Sequence, residues 1–193
     1  LVPCCGEPLE IIRTTLKAVR RITYNPLEVY VLDDGASEAV ATLAQSLGFH
    51  YLSRAQEGLP RTDSKSGNLN FGMSRSRGEL ILVLDADQVA APEILNRLAG
   101  FFSHPQVGYV QSKQAFFLPE TDPFYNQDKV FYETIQLSND QANAVISCGS
   151  GVVYRRQALE EIGGFASWNL LEDFTSSYEL ASRDWRGVYY PHA

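Results

Sequence analysis

The sequence has few of the features that mark membrane-spanning or nucleic-acid-binding proteins. No apolar run approaches the ~20 residues that span a bilayer, and the N-terminus shows no signal-peptide pattern. Lys and Arg together number 16 against 23 Asp and Glu, which gives a net charge of -7. Because a nucleic-acid surface needs clustered cations, we expect no nucleic-acid partner, and we expect this fragment to be soluble.

Cysteines and glycine-rich fingerprints are also scarce. The three cysteines, Cys4, Cys5 and Cys148, are odd in number and lack CxxC spacing, so a disulfide framework or a zinc site is not expected and a reducing compartment is favoured. The first turn reads Cys4-Cys5-Gly6-Glu7-Pro8 instead of GxGxxG. That difference argues against NAD or FAD binding.

The 193 residues suit one α/β domain, since 45% are hydrophobic and 20% charged. Apolar periodicity predicts strands that alternate with helices through short connections, which implies a mostly parallel, Rossmann-like central sheet flanked by helices. Both ends of the chain look truncated, so we expect a piece of a longer protein. The predicted strands are 1–3, 28–32, 49–52, 80–84, 107–111, 145–154 and 188–190, with 115–118 as a possible extension; the predicted helices are 9–19, 37–47, 68–74, one from 92, 124–143, 157–162 and 173–183.

The most informative stretch is an apolar strand that ends in two acids. The run Leu80 to Leu84 meets Asp85-Ala86-Asp87, and ligands of open α/β sheets lie beyond the carboxyl ends of the strands. Two carboxylates there repel each other unless a cation lies between them, and hard oxygen ligands favour Mg²⁺ or Mn²⁺. The alternative is one capping acid and one solvated acid.

Further acids follow other predicted elements. Asp33-Asp34-Gly35 follows the second strand, where a nucleotide-binding Rossmann-like fold places an acid that accepts hydrogen bonds from ribose hydroxyls. A simple turn is the alternative for this stretch. Glu7 at the first strand and Glu172-Asp173 at a late helix start would border the same crevice, although a helix-dipole role also explains the late pair.

Six stretches, in order, resemble the family-2 glycosyltransferases and, within them, the processive synthases related to bacterial cellulose synthase. The resemblance implies a GT-A fold, a UDP-sugar donor with glucose favoured, Mg²⁺ or Mn²⁺, and inversion to a β-glycosidic bond. The stretches are Val2-Pro3 through Glu7-Pro8, Val31-Leu32-Asp33-Asp34-Gly35, Lys65-Ser66-Gly67-Asn68-Leu69-Asn70, Leu84-Asp85-Ala86-Asp87, Ser147-Cys148-Gly149-Ser150-Gly151 and Leu171-Glu172-Asp173.

The resemblance also implies a role for each matching position. Asp173 is expected to be the general base, although Leu171 stands where Thr is usual in the family's TED motif. Asp85 and Asp87 are expected to hold the metal. The donor-binding residues are expected to be Pro3, Glu7, Asp33, Asp34, Lys65 and Asp85, and the acceptor-binding residues Cys148, Gly149, Ser150 and Glu172.

On this basis residues 1–112 are expected to bind the nucleotide sugar, and residues 113–193 the glycan or lipid-linked acceptor. Transmembrane segments of the longer protein would place this domain at the cytoplasmic face of the inner membrane. The family's QxxRW motif does not occur in this sequence, so we expect weak UDP binding and poor turnover from the fragment alone.

Three alternatives remain open from the sequence. One is a transferase of the same family that makes a glycolipid or uses another UDP-sugar. Another is a haloacid-dehalogenase-type phosphatase, whose DxD motif usually lies near the chain start, whereas here it is mid-chain and followed by Gln88. The last is a noncatalytic nucleotide-binding domain.

Overall fold

The computed structural model describes residues 1–117, 128–169 and 171–192. The strands are β1 (Val2–Cys4), β2 (Tyr30–Asp33), β3 (His50–Leu52), β4 (Leu80–Val83), β5 (Val107–Ser112), β6 (Val152–Arg155) and β7 (Arg186–Tyr190). The helices are α1 (Leu9–Val19), α2 (Glu38–Ser46), α3 (Ser64–Arg75), α4 (Ile94–Leu98), α5 (Asp128–Val130), α6 (Gln136–Gln141), α7 (Arg156–Glu161) and α8 (Glu172–Ala181). A 3₁₀ segment, Ala99–Ser103, extends α4, and a π-helical segment, Phe131–Ile135, joins α5 to α6.

The strands form two hydrogen-bonded groups that meet at the first residue. β1, β2 and β3 pair in parallel, and the second group has the order β4-β6-β5-β7. β6 is antiparallel to both of its neighbours, whereas β5 and β7 are parallel. The Leu1 amino group donates to the carbonyl of Leu82 at 2.7 Å, and the amide of Leu84 donates to the carbonyl of Leu1 at 3.0 Å. These bonds continue the parallel pairing from β1 to β4, so the predicted α/β architecture with a central sheet is confirmed.

Apolar side chains cover both faces of this sheet. Val31 and Leu32, which are adjacent in β2, belong to opposite core clusters, as the period of two in a strand requires. Ile12 and Leu16 of α1 pack in the first cluster, and Leu69 of α3 packs in the second. The strand before Asp85 is therefore uniformly apolar because it is buried on both sides, which is typical of a strand at the centre of an α/β sheet.

Several predicted boundaries differ from the structure. α3 begins at Ser64, four residues earlier than predicted, so Lys65 lies in its first turn and not in a loop. The predicted strand 145–154 is shortened to Val152–Arg155, because Gly149 and Gly151 have φ of +71 and +62, which is incompatible with an extended strand. No strand continues over 115–117, and residue 118 lies outside the described residues.

The long helix predicted over 124–143 corresponds to the run from Asp128 to Gln141, and residues 124–127 lie outside the described residues. In the described ranges, no helix combines the length and the apolar character needed to cross a bilayer. The division into halves at 112 and 113 stays a prediction.

Candidate active site

A first cavity of about 410 Å³ lies at the carboxyl ends of β1, β2 and β4. This is the edge of the sheet at which the sequence predicts a ligand. Strand endings and the first turn of α3 supply its walls. The lining consists of Pro3, Cys4, Cys5, Glu7, Asp34, Arg61, Ser64, Lys65, Asn68, Asp85, Ala86 and Asp87, and thus includes every predicted donor or metal residue except Asp33.

A second cavity of about 320 Å³ contains the predicted general base. The loop before β6 and the start of α8 bring Asp173 and Cys148 to its wall, and aromatic rings supply much of the rest. The lining consists of Phe116, Asp128, Phe131, Tyr132, Ile146, Ser147, Cys148, Asp173 and Phe174.

Lys65 lines the first cavity and lies close to residues that border the second. Its Nζ lies 2.5 Å from Asp85 Oδ1 and 3.6 Å from Glu172 Oε1. A Cβ added to Gly149 would lie 3.0 Å from Asp173 Oδ2 and 3.2 Å from Lys65 Nζ. Acids from β4 and α8, which are far apart in sequence, are therefore gathered around one ammonium group.

Burial and mutual repulsion act on these acids. The pKa of Asp85 is raised above its ordinary 3.8, first by burial and also by the charges of Asp87 and Asp173, while Lys65 opposes the rise. The pKa of Glu172 is likewise raised above 4.5 by burial and by Asp173 and Asp85, against the effect of Lys65. The cluster therefore carries more negative charge than Lys65 balances, which favours the arrival of a further cation.

Asp33 is held inside the turn that follows β2 and does not reach the first cavity. It is buried, and its Oδ1 accepts a hydrogen bond from the amide of Gly35 at 2.7 Å. Its Oδ2 accepts from the amide of Ser37 at 2.8 Å and from the hydroxyl of Tyr51 at 2.9 Å. The structure thus supports the turn interpretation for this acid.

Asp34 faces the first cavity from within a buried ion pair with Arg54. Arg54 Nε donates to Asp34 Oδ1 at 2.9 Å, and Nη2 donates to Oδ2 at 2.5 Å. The same guanidinium donates to the carbonyls of Thr62 and Ser64 at 2.6 and 3.1 Å. Arg54 therefore connects the loop before α3 to the turn that contains Asp34. Sequence reasoning missed this role, because nothing in a polar loop indicates which arginine is buried.

Gly67 makes room for Arg54. A Cβ at this position would lie 2.7 Å from Arg54 Nη1 and would also collide with the carbonyl oxygen of Thr62. The glycine of the Lys65-Ser66-Gly67-Asn68 stretch is therefore required by packing within the protein.

The fully buried side chain of Gln111 holds the Cys148-Gly149-Ser150-Gly151 loop through hydrogen bonds. Gln111 Oε1 accepts from the amide of Cys148 at 2.8 Å, and Nε2 donates to the carbonyl of Ser150 at 3.0 Å. Ser150 Oγ in turn accepts from the amide of Asp85 at 2.9 Å. Ser150 and Gly149 are buried and line neither cavity, so their role is to fix the position of Asp85 and of the loop beside it. Sequence reasoning did not identify Gln111.

Asp85 and Asp87 line the first cavity, but no group of three or more His, Cys, Asp or Glu in the described residues is arranged to hold a metal by itself. Mg²⁺ is commonly bound by one or two carboxylates together with substrate phosphates. The two acids therefore fit a divalent metal whose remaining ligands come from a bound diphosphate and from water.

Comparisons with known proteins agree with this geometry. The sequence pattern of Glycosyl transferase family 2 matches residues 1–163. The chain is 31% identical over 201 residues to the cellulose synthase catalytic subunit (UDP-forming) of Xanthomonas axonopodis pv. citri (strain 306), covering 97% of this chain and 27% of that protein. It thus spans about a quarter of the length of that relative.

Two solved structures share the fold. The mannosyltransferase PcManGT from Pyrobaculum calidifontis, in complex with GDP-Man and Mn²⁺, superposes with a TM-score of 0.79 at 23% identity, over 98% of this chain and 53% of that one. The glucosyl-3-phosphoglycerate synthase of Mycobacterium tuberculosis, in complex with Mn²⁺, UDP and glucosyl-3-phosphoglycerate, superposes with a TM-score of 0.68 at 16% identity, over 98% of this chain and 67% of that one. The fold predicted from the sequence, GT-A, is confirmed.

Proposed function

The chain belongs to glycosyl transferase family 2, and we propose that it is the catalytic core of an inverting transferase that moves a sugar from a UDP-sugar to an acceptor hydroxyl. The observation that carries the proposal is that Lys65, which lines the first cavity, and Asp173, which lines the second, both lie beside Gly149. One cavity contains acids suited to a metal and a nucleotide, and the other contains a carboxylate suited to deprotonate an acceptor.

The first cavity is the donor site in this proposal. Pro3, Glu7 and Asp34, which line this cavity, are proposed to contact the nucleoside, and Lys65, also in the lining, is proposed to lie near the sugar and diphosphate end of the donor. Asp85 and Asp87 hold Mg²⁺ or Mn²⁺, which supplies Lewis-acid stabilisation of the departing diphosphate. The mannosyltransferase and the glucosyl-3-phosphoglycerate synthase named above were both solved with Mn²⁺, which supports a divalent metal here.

The second cavity is the acceptor site. Asp173 accepts the proton of the acceptor hydroxyl as the hydroxyl oxygen attacks the anomeric carbon. A single displacement inverts that carbon, so an α-linked donor gives a β-linked product. Cys148 lines this cavity, while Gly149 leaves space between Asp173 and Lys65, and Glu172 neutralises part of the Lys65 charge.

Glucose is the proposed sugar and a β-glucan the proposed product, because the curated relative is a UDP-forming cellulose synthase subunit. In the longer protein this domain would lie at the cytoplasmic face of the inner membrane and pass its product to transmembrane segments. A glycolipid acceptor is the alternative within the same chemistry.

Isothermal titration with UDP and GDP, with Mn²⁺, with Mg²⁺ and with a chelator, tests the proposal. We expect UDP to bind only with metal and GDP to bind more weakly. Asp87→Asn should abolish the metal-dependent binding of UDP, whereas Asp184→Asn, a change of another exposed aspartate outside both cavities, should preserve it. Binding of a phosphate analogue without any binding of UDP would instead support the phosphatase alternative.

A further inference from the structure

The first cavity has to receive a negatively charged diphosphate although its own lining is acidic. Glu7, Asp34, Asp85 and Asp87 line it, against only Arg61 and Lys65 as cations. Beside a metal held by Asp85 and Asp87, a phosphate group bound there gains most from a side-chain cation that the acids of the protein have not already engaged, because an ion pair that must be broken first offsets the gain from a new one.

Two of the three cations near the cavity are already engaged. Lys65 contacts Asp85 and Glu172 and also donates to the carbonyl of Gly149 at 3.2 Å. Arg54 is buried behind Asp34, to which it donates two hydrogen bonds. Neither group is free to turn toward a phosphate without leaving a carboxylate unpaired.

Arg61 differs from both. It is exposed in the loop between β3 and α3, and no carboxylate of the described residues lies within ion-pair distance of it. Its Nη2 donates at 2.7 Å to the thiol sulfur of Cys5 across the cavity. A thiol is a weak acceptor, so a phosphate oxygen would displace it with a gain in hydrogen-bond strength.

We infer that Arg61 is a further catalytic residue, which binds the diphosphate of the nucleotide sugar and stabilises it as the leaving group. The planar guanidinium fork matches phosphate oxygens in a bidentate manner. When the bond from the anomeric carbon to the phosphate oxygen breaks, the electron pair stays on that oxygen beside Arg61. The acceptor oxygen forms the new bond to the anomeric carbon, and its proton passes to Asp173.

The inference rests on the proposed function. Its test distinguishes contacts to the phosphates from contacts to the nucleoside. Titrations of UDP, UMP and uridine with Mn²⁺ present would be compared for the wild type, Arg61→Ala and Arg61→Lys. We expect Arg61→Ala to weaken UDP binding by roughly 10- to 100-fold, the usual effect of losing a hydrogen bond to a charged group, with uridine binding unchanged. Arg61→Lys should be intermediate, because it keeps the charge and loses the fork.

Arg77→Ala is the matched control, since Arg77 is an exposed arginine outside the first cavity. It should bind UDP as the wild type does. Unchanged UDP affinity in Arg61→Ala would overturn the inference, and so would an equal loss for UDP and uridine, which would indicate that the loop had merely been deformed. Failure of the wild type itself to bind UDP would overturn the proposed function, and this inference with it.

Discussion

Lys65 donates a hydrogen bond from its Nζ to the carbonyl oxygen of Gly149 at 3.2 Å. The bond joins the first turn of α3, whose Lys65 lines the first cavity, to the loop before β6, whose Cys148 lines the second. A Cβ added to Gly149 would lie 3.0 Å from Asp173 Oδ2, and the φ of +71 at Gly149 lies in the left-handed region. The distance between Lys65 and Asp173 therefore depends on the absence of a side chain at position 149.

Gly149→Ala should displace Asp173 and Lys65 and reduce sugar transfer by the longer protein severely. Gly163→Ala is its matched control, because Gly163 has a φ of +87 but nothing within 4 Å of an added Cβ. Both variants should lose about 1–2 kcal/mol of unfolding free energy from backbone strain. Urea denaturation and a transfer assay measure the two effects, and equal activity in both variants would show that the close approach is unimportant.

Asp34→Asn should destabilise the protein strongly, because Arg54 would remain buried without its anion. Both side chains of the pair are about equally inaccessible, at 5% and 6% exposure. Breaking a buried pair from one side costs about 3–5 kcal/mol. Urea denaturation would measure the loss of unfolding free energy. The control is Glu57→Gln, which breaks the exposed pair with Arg75 and is expected to cost about 1 kcal/mol or less. Similar losses for the two variants would contradict the structural role of Arg54.

Gln111→Met should lower turnover more than donor affinity. The change keeps the side-chain volume but removes the groups that hold the amide of Cys148 and the carbonyls of Ser112 and Ser150. Each buried group left unpaired costs about 1–3 kcal/mol, so the loop that carries Gly149 should shift. Gln114→Met is the control, since among the described residues Gln114 bonds only the Ser150 carbonyl, which Gln111 also holds. Steady-state kinetics would refute this role if KM for the donor rose while kcat stayed constant.

Glu172→Gln should stabilise the ligand-free protein at neutral pH. The folded state raises the pKa of Glu172 above 4.5, so it holds a proton at a higher pH than the unfolded chain does. The free energy of unfolding that Glu172 contributes therefore falls as the pH rises from 4.5 through the raised pKa. The Gln side chain does not titrate, so Glu172→Gln does not undergo this loss. The gain should shrink as the pH is lowered and should vanish below 4.5, where both states are protonated.

Thermal unfolding across this pH range would check the prediction. Glu38→Gln serves as the control, because Glu38 occupies the first turn of α2 as Glu172 occupies that of α8. A stability difference between wild type and Glu172→Gln that does not vary with pH would exclude the proposed cause.

The sequence by itself determined the order of strands and helices and the chemistry at the strand ends. The apolar run before Asp85 could form only a strand buried on both faces, and such a strand delivers its following acids to the ligand edge of the sheet. The ordered motifs then predicted the family, which the comparisons confirmed. These features depend on short motifs or on periodic patterns, so they can be recognised without knowing which distant residues contact one another.

Tertiary structure decided which polar groups are engaged with one another. Asp33 and Asp34 are adjacent and chemically identical, yet one closes a turn and the other faces the cavity in a pair with Arg54. Three basic residues of one stretch, Arg54, Arg61 and Lys65, likewise have different partners, which only folding brings to them. The pairing of a charged side chain depends on contacts between distant segments, and neither residue type nor spacing encodes those contacts.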